Sequence, residues 1–215
     1  MTPTPIPTHT ATLTPTLEIR GLVTQRGEPV EGVPLQLGIC GISLQPEIVQ
    51  NKESLEDGSY YFHVAAGALP AGASYGVIYE NDVESPVEGR LALWRAEPFM
   101  PDMPSGSIPG GDFDVADIEL VGPDSTEPRP LPVTFEWLAR DPQWVEQETY
   151  RVKIWDQRGN VFLSDDDLAL VDAFRLEGLP AGFSFDKVYQ WQVLIWSEDG
   201  YGESLEAGTV VFAAS

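Results

Sequence analysis

The chain has 215 residues, 42% of them apolar, with 20 glycines, 19 prolines and a formal charge of −22. That length admits two domains of ordinary size, and the Gly/Pro share implies many short strands divided by turns. The acidity argues against nucleic acid and against direct binding to an anionic membrane, because both would be repelled.

The charge is spread evenly: five cations face seventeen carboxylates over 17–121, and seven face seventeen over 122–215. No stretch is long and apolar enough to cross a bilayer. Cys40 is the only cysteine, so no intrachain disulfide can form and Cys40 is expected to be a small buried residue.

Residues 1–16, MTPTPIPTHTATLTPT, set threonine at nearly every even position among four prolines. Such a segment cannot bury enough apolar surface to offset its ordering entropy, so a disordered, extended Thr/Pro stalk is expected. Stalks of this composition point to an extracellular or cell-surface setting, with the export or anchor segment lying outside this stretch.

From Leu17 the pattern becomes alternation. Leu17 and Ile19, then Val33, Leu35 and Leu37, then Tyr60, Phe62 and Val64 each place apolar side chains on one face of a strand, leaving His63 on the solvated side. Further strands are expected at 74–79, 90–95 and 113–121, with Asp57-Gly58 as a hairpin turn. Between them 96–111, AEPFMPDMPSGSIPGG, is too rich in proline and glycine for regular structure. Phe99, Met100 and Met103 within it either fold back on the sandwich or form a partner-binding loop.

The series Gly21, Val23, Gly27, Pro29, Val30, Gly32, Val33, Leu35, Ser54, Asp57, Gly58, Tyr60, Phe62, Asp117, Ile118 and Leu120 resembles the carboxypeptidase regulatory-like domain. That resemblance implies a transthyretin-like β-sandwich over 17–121 and an accessory, non-catalytic role. A Pro-rich connector over 122–131 follows, expected to be semi-rigid and to hold two domains apart but near.

In 132–215, Val133, Phe135 and Trp137 alternate, as do Tyr150, Val152 and Ile154, and Tyr189, Trp191, Val193 and Ile195. Turns are expected at Gln157–Asn160 and Glu198–Gly202, and a closing strand at Thr209–Phe212. With Leu176-x-Gly178-Leu179-Pro180 ahead of Tyr189, this half is similar to a fibronectin type III domain, which implies spacing or binding. The expected fold class is therefore all-β: two consecutive Ig-like or transthyretin-like β-sandwiches with separate interiors.

If Val152, Ile154, Val193 and Ile195 face inward, Trp155, Gln190, Gln192 and Trp196 face outward beside Arg151 and Lys153. A register with Trp196 beside Arg151 and Trp155 beside Gln192 would set the indoles about 14 Å apart. That spacing suits stacking on a sugar chain, with the glutamines as donors. The alternative is structural: Trp196 covers Arg151 in a cation–π contact, or both indoles pack on the first domain.

Three adjacent carboxylates on a strand cannot converge on one calcium ion, so Asp165–Asp167 read as solvated charge, and the same holds for Asp112, Asp114 and Asp117. No nucleophile, phosphate-loop or metal-ligand spacing is present, and neither an enzyme nor a cofactor is expected. The expectation is a monomeric spacer or binding module for a glycan or extracellular protein. An accessory part of a secreted hydrolase is the other reading.

Overall fold

The structure, a computed structural model, describes residues 15–41, 45–101, 105–145, 147–164, 168–169 and 171–214. Most of the stalk, Met103 and Asp165–Asp167 lie outside the described residues. The fold is all-β, with no helix among the described residues and therefore none long and apolar enough to cross a membrane.

Strict alternation produces the strands. Ser59–Ala65 buries Tyr60, Phe62 and Val64 while Tyr61 and His63 stay exposed, and Val133–Leu138 buries Val133, Phe135 and Trp137 in the same way. Aromatic and β-branched side chains fill these positions because they fit a pleated, half-buried surface.

The first half contains β1 (Thr16–Gln25), β2 (Glu28–Pro29), β3 (Pro34–Cys40), β4 (Glu47–Glu53), β5 (Ser59–Ala65), β6 (Ser74–Glu80), β7 (Leu93–Ala96), β8 (Gly106–Pro109), β9 (Phe113–Asp114) and β10 (Glu119–Gly122). The second contains β11 (Pro128–Pro130), β12 (Val133–Leu138), β13 (Thr149–Trp155), β14 (Val161–Leu163), β15 (Leu168–Ala169), β16 (Ala173–Leu176), β17 (Val188–Ser197), β18 (Gly200–Glu203) and β19 (Gly208–Ala213).

One sheet gathers β5, β8, β9 and β2 around β1, and a second runs β10-β12-β16. The third has eleven strands, ordered β11-β19-β17-β18-β7-β6-β3-β4, with β13 on β17 and with β14 and β15 on β13. Asp57-Gly58 does form a turn, with the Asp57 carboxylate accepting from the Ser59 amide. It joins strands of two different sheets, so it is a corner and not a hairpin.

The halves are not held apart. β18 pairs antiparallel with β7, placing Tyr201 opposite Arg95 and Gly202 opposite Trp94, so the long sheet passes from one half into the other. The expected connector is itself paired at both ends: β10 with β12, β11 with β19. The buried apolar side chains form one contiguous cluster from Leu17 to Phe212 instead of two interiors.

Glycine makes this junction possible. A Cβ on Gly200, at φ 149°, would stand 2.1 Å from the Arg95 carbonyl oxygen, and one on Gly202 would stand 2.9 Å from the Trp94 ring. The stretch expected to be only a turn therefore supplies a strand, because its glycines let two backbones meet.

The loop before β17 closes on a phenol. The Tyr189 hydroxyl donates to the Ser184 carbonyl at 3.1 Å and accepts from the Ser184 amide at 2.7 Å, while its ring stacks on Phe183 at 4.4 Å. The long link between Leu179 and Tyr189 is thus anchored by one side chain.

Gly200→Ala is expected to cost more than about 3 kcal/mol, because the added carbon meets backbone on the partner strand. Gly159 also has positive φ but opens on free space, so Gly159→Ala should cost only about 1–2 kcal/mol. Urea midpoints of the two variants measure the difference.

Candidate functional site

The strand pair that carries the expected aromatic face is β13 with β17, and its register is two residues away from expectation. Thr149 lies opposite Trp196, Arg151 opposite Leu194, Lys153 opposite Gln192 and Trp155 opposite Gln190. The indoles therefore sit six residues apart along β17, about 20 Å at 3.4 Å per residue, and not 14 Å. A two-residue slip keeps every side chain on its own face, so alternation identifies the face without fixing the pairing.

The four residues do not act as one platform. Gln190 is exposed beside Trp155, but Gln192 is buried and its amide donates to the Glu203 carboxylate at 2.6 Å. Lys153 lies 3.6 Å from the same carboxylate and 5.4 Å from the centre of the Trp155 ring. Leu194 is also buried on this face.

Trp196 is half-buried and covered from both neighbouring strands. The Arg151 guanidinium reaches it diagonally from β13, at 4.9 Å from the ring centre, and Tyr201 stacks on it from β18 at 5.7 Å and 22°. Arg95 of β7 continues the row, 5.9 Å from the Tyr201 ring. Arginine, tryptophan, tyrosine and arginine thus form a ladder across the seam, each cation–π step contributing about 0.5–1 kcal/mol. Of the two structural alternatives, the Arg151 contact is the one formed.

Beside this ladder lies a cleft of about 300 Å³ reaching Cys40, Pro46 and Ile78 of the first half. Cys40 is half-buried at its wall, not enclosed, and burial pushes its thiol pKa up. Sequence reasoning singled out Trp196 but neither Tyr201 nor Arg95, because only the β18–β7 pairing makes them neighbours.

Phe99 and Met100 part company. Phe99 exchanges two backbone hydrogen bonds with Tyr75, at 2.8 and 2.9 Å, and packs against the core. It is structural, whereas Met100 is 70% exposed at the rim of an apolar hollow beside Leu17, Leu69 and Tyr75.

The expected acidic positions go to separate partners. Asp112 accepts from the Leu22 amide at 2.7 Å, and Asp117 from the Leu205 amide at 2.8 Å. Asp114, almost fully buried, accepts from the Thr24 hydroxyl and the Gly27 amide at 2.8 Å each, and from the Ala116 amide at 2.8 Å.

Asp114 also meets an arginine from the other half. Arg140 donates to the Asp114 carboxylate at 3.0 Å and to its carbonyl at 2.9 Å, and lies 3.5 Å from Glu148. The Tyr150 hydroxyl donates to Glu148 at 3.1 Å and accepts from the Arg140 amide at 3.1 Å. All three charged side chains are buried, and the strand alternation that ends at Leu138 gives no sign of them.

Burial raises the Glu148 carboxyl pKa, against the opposing pull of Arg140 and the Tyr150 hydrogen bond. Burial likewise pushes Asp117 up to about 6, with Glu206 adding to the rise and the Leu205 and Ile118 amides and Arg140 opposing it.

Removing the arginine leaves buried carboxylates unpaired, so Arg140→Ala is expected to cost about 3–5 kcal/mol in urea unfolding. Asp117 binds its proton more tightly when folded than when unfolded, so its contribution to stability falls as pH rises from about 4 to about 6. Asp117→Asn should therefore stabilise the protein at pH 7 by about 2–3 kcal/mol, an advantage that fades below about pH 4. Urea titrations of both proteins between pH 4 and 7 measure this.

No protein-family model matches the chain, and no curated protein matches it. Among solved structures it is similar to a DUF3823 family protein from Parabacteroides merdae, at 13% identity and a TM-score of 0.31, over 93% of this chain and 99% of that one.

Proposed function

We propose that this chain is a rigid, non-catalytic spacer of a secreted or surface-tethered protein, built from a carboxypeptidase regulatory-like sandwich and a fibronectin type III-like sandwich. The observation that carries this reading is the β7–β18 pairing, which makes one sheet of both halves. A spacer transmits position, and a shared sheet fixes the angle between its ends far better than a connector of prolines. The buried Arg140–Asp114 pair reinforces the same junction. The carboxylates nearest the seam are engaged as hydrogen-bond acceptors for backbone amides and for Arg140, which suits structure more than acid–base chemistry.

The arrangement of β10-β12-β16 beside the sheet of β19, β17 and β13 accords with a fibronectin-like second half. Recognition of an extended glycan by stacking is less favoured, since both faces of Trp196 are covered and Trp155 is about 20 Å away. Backbone residual dipolar couplings from 16–118 and from 128–213 are expected to fit a single alignment tensor. Two different tensors would remove the spacer reading.

A further inference from the structure

We propose that the cleft at the seam, lined by Arg95, Trp196 and Tyr201 together with Cys40, Pro46 and Ile78, binds a small ring compound bearing a carboxylate. Its volume, about 300 Å³, lies at the lower end of the range for small-molecule sites. It is built from both halves of the chain, so it exists only because β18 joins β7.

The carboxylate follows from Arg95. In a chain with 34 acidic and 12 basic residues, its guanidinium meets no hydrogen-bond acceptor among the described residues. The nearest carboxylate, Glu80, is 4.0 Å from Nη2, beyond hydrogen-bond range, and Nε is buried without a partner. The side chain is nonetheless 38% exposed, so the fork of N–H groups can be reached from the cleft. A planar guanidinium with unused donors is complementary to a carboxylate, which it can hold through two parallel hydrogen bonds. Glu97, the other charged group at the rim, is exposed and solvated. Salt limits the repulsion from the acidic surface to a Debye length of about 8 Å at physiological ionic strength.

The ring follows from the walls. Trp196 and Tyr201 already stack on each other, so the cleft offers the rims of their rings beside Pro46, Ile78 and Pro98. Ring edges carry partial positive charge, which suits both the face of an arene and the oxygens of a sugar acid. Gly41, Gly76 and Gly200 line the same cleft. A Cβ on Gly76 would come within 3.2 Å of the Cys40 sulfur.

The test uses the whole chain, uniformly labelled with ¹⁵N and followed at the Trp196 indole N–H and the Arg95 Nε–H, the former serving in both the parent protein and Arg95→Gln, and titrated with 4-hydroxyphenylacetate, with galacturonate and with the neutral 4-hydroxyphenylacetamide. The Arg95 Nε–H resonance is assigned from Arg95→Gln. The expected result is a saturable shift with at least one acid at millimolar concentration, and affinity lower by about tenfold or more for the amide and for Arg95→Gln with the acid. Response to the arene acid assigns an aromatic carboxylate, and response to galacturonate assigns an acidic sugar. Response to neither, an amide that binds as well as its acid, or undiminished binding in Arg95→Gln overturns the site. The acid-against-amide comparison needs no variant, so it holds even if Arg95→Gln folds poorly. The cleft rests on the joined sheet, but the failures are separable: one alignment tensor with no acid response removes the site alone, and two tensors remove the spacer whatever the acid does.

Discussion

A buried guanidinium holds this molecule together at its middle. Arg140 comes from the second half, Asp114 from the first, and neither side chain has meaningful access to water. Buried charge is tolerated only when paired and hydrogen-bonded, and Asp114 is saturated by Thr24, Gly27, Ala116 and Arg140 together. Four contacts converge on one carboxylate, three from within the first half and one from the Arg140 guanidinium of the second. Relative motion of the halves would strand the Arg140 guanidinium and the Asp114 carboxylate in the interior without each other, which is why the seam behaves as core and not as a surface contact.

Around that point the other features line up. Trp144 packs over Gly27, where a Cβ would come within 2.9 Å of its ring, so the loop after Arg140 lies against the first half as well. Asp117 holds the amide of Leu205 in the break between β18 and β19, and Ser204 fills the same break by bonding to Val193. The ladder of Arg151, Trp196, Tyr201 and Arg95 then crosses the outer face of the same strands. The junction is thus secured on both faces of one sheet: charge pairing on the inner side, aromatic stacking on the outer.

Much of the fold was legible from alternation. Tyr60, Phe62 and Val64, or Val133, Phe135 and Trp137, mark their strands without ambiguity because a period of two has one physical meaning there. The outward face of β13 and β17 was legible for the same reason. Its register was not, since slipping by two residues leaves the pattern of burial unchanged. The junction was hidden for a different reason: Glu198–Gly202 has the composition of a turn, and nothing local says that Gly200 and Gly202 are there to admit a neighbouring strand. Arg140 and Asp114 are 26 residues apart, the one in the loop after β12 and the other in β9, so their pairing has no periodic trace. Tyr201 and Arg95 went unremarked because each is an ordinary surface residue until the two strands meet.

The β7–β18 ladder also decides how this architecture can change over time. Neighbouring strands are rotated by roughly 20–25°, so the twist across this pair sets the attitude of one half to the other. Insertions or deletions in the stretch between β10 and β11 would leave that attitude alone. A slip of two residues between β7 and β18 would instead slide one half along the other by about 7 Å, all at once. Orientation here is quantised by pleat and hydrogen bond, so drift in register is discontinuous, whereas a change in linker length is felt only locally, in the bonds of Pro123, Asp124 and Ser125 to Trp191 and Thr209.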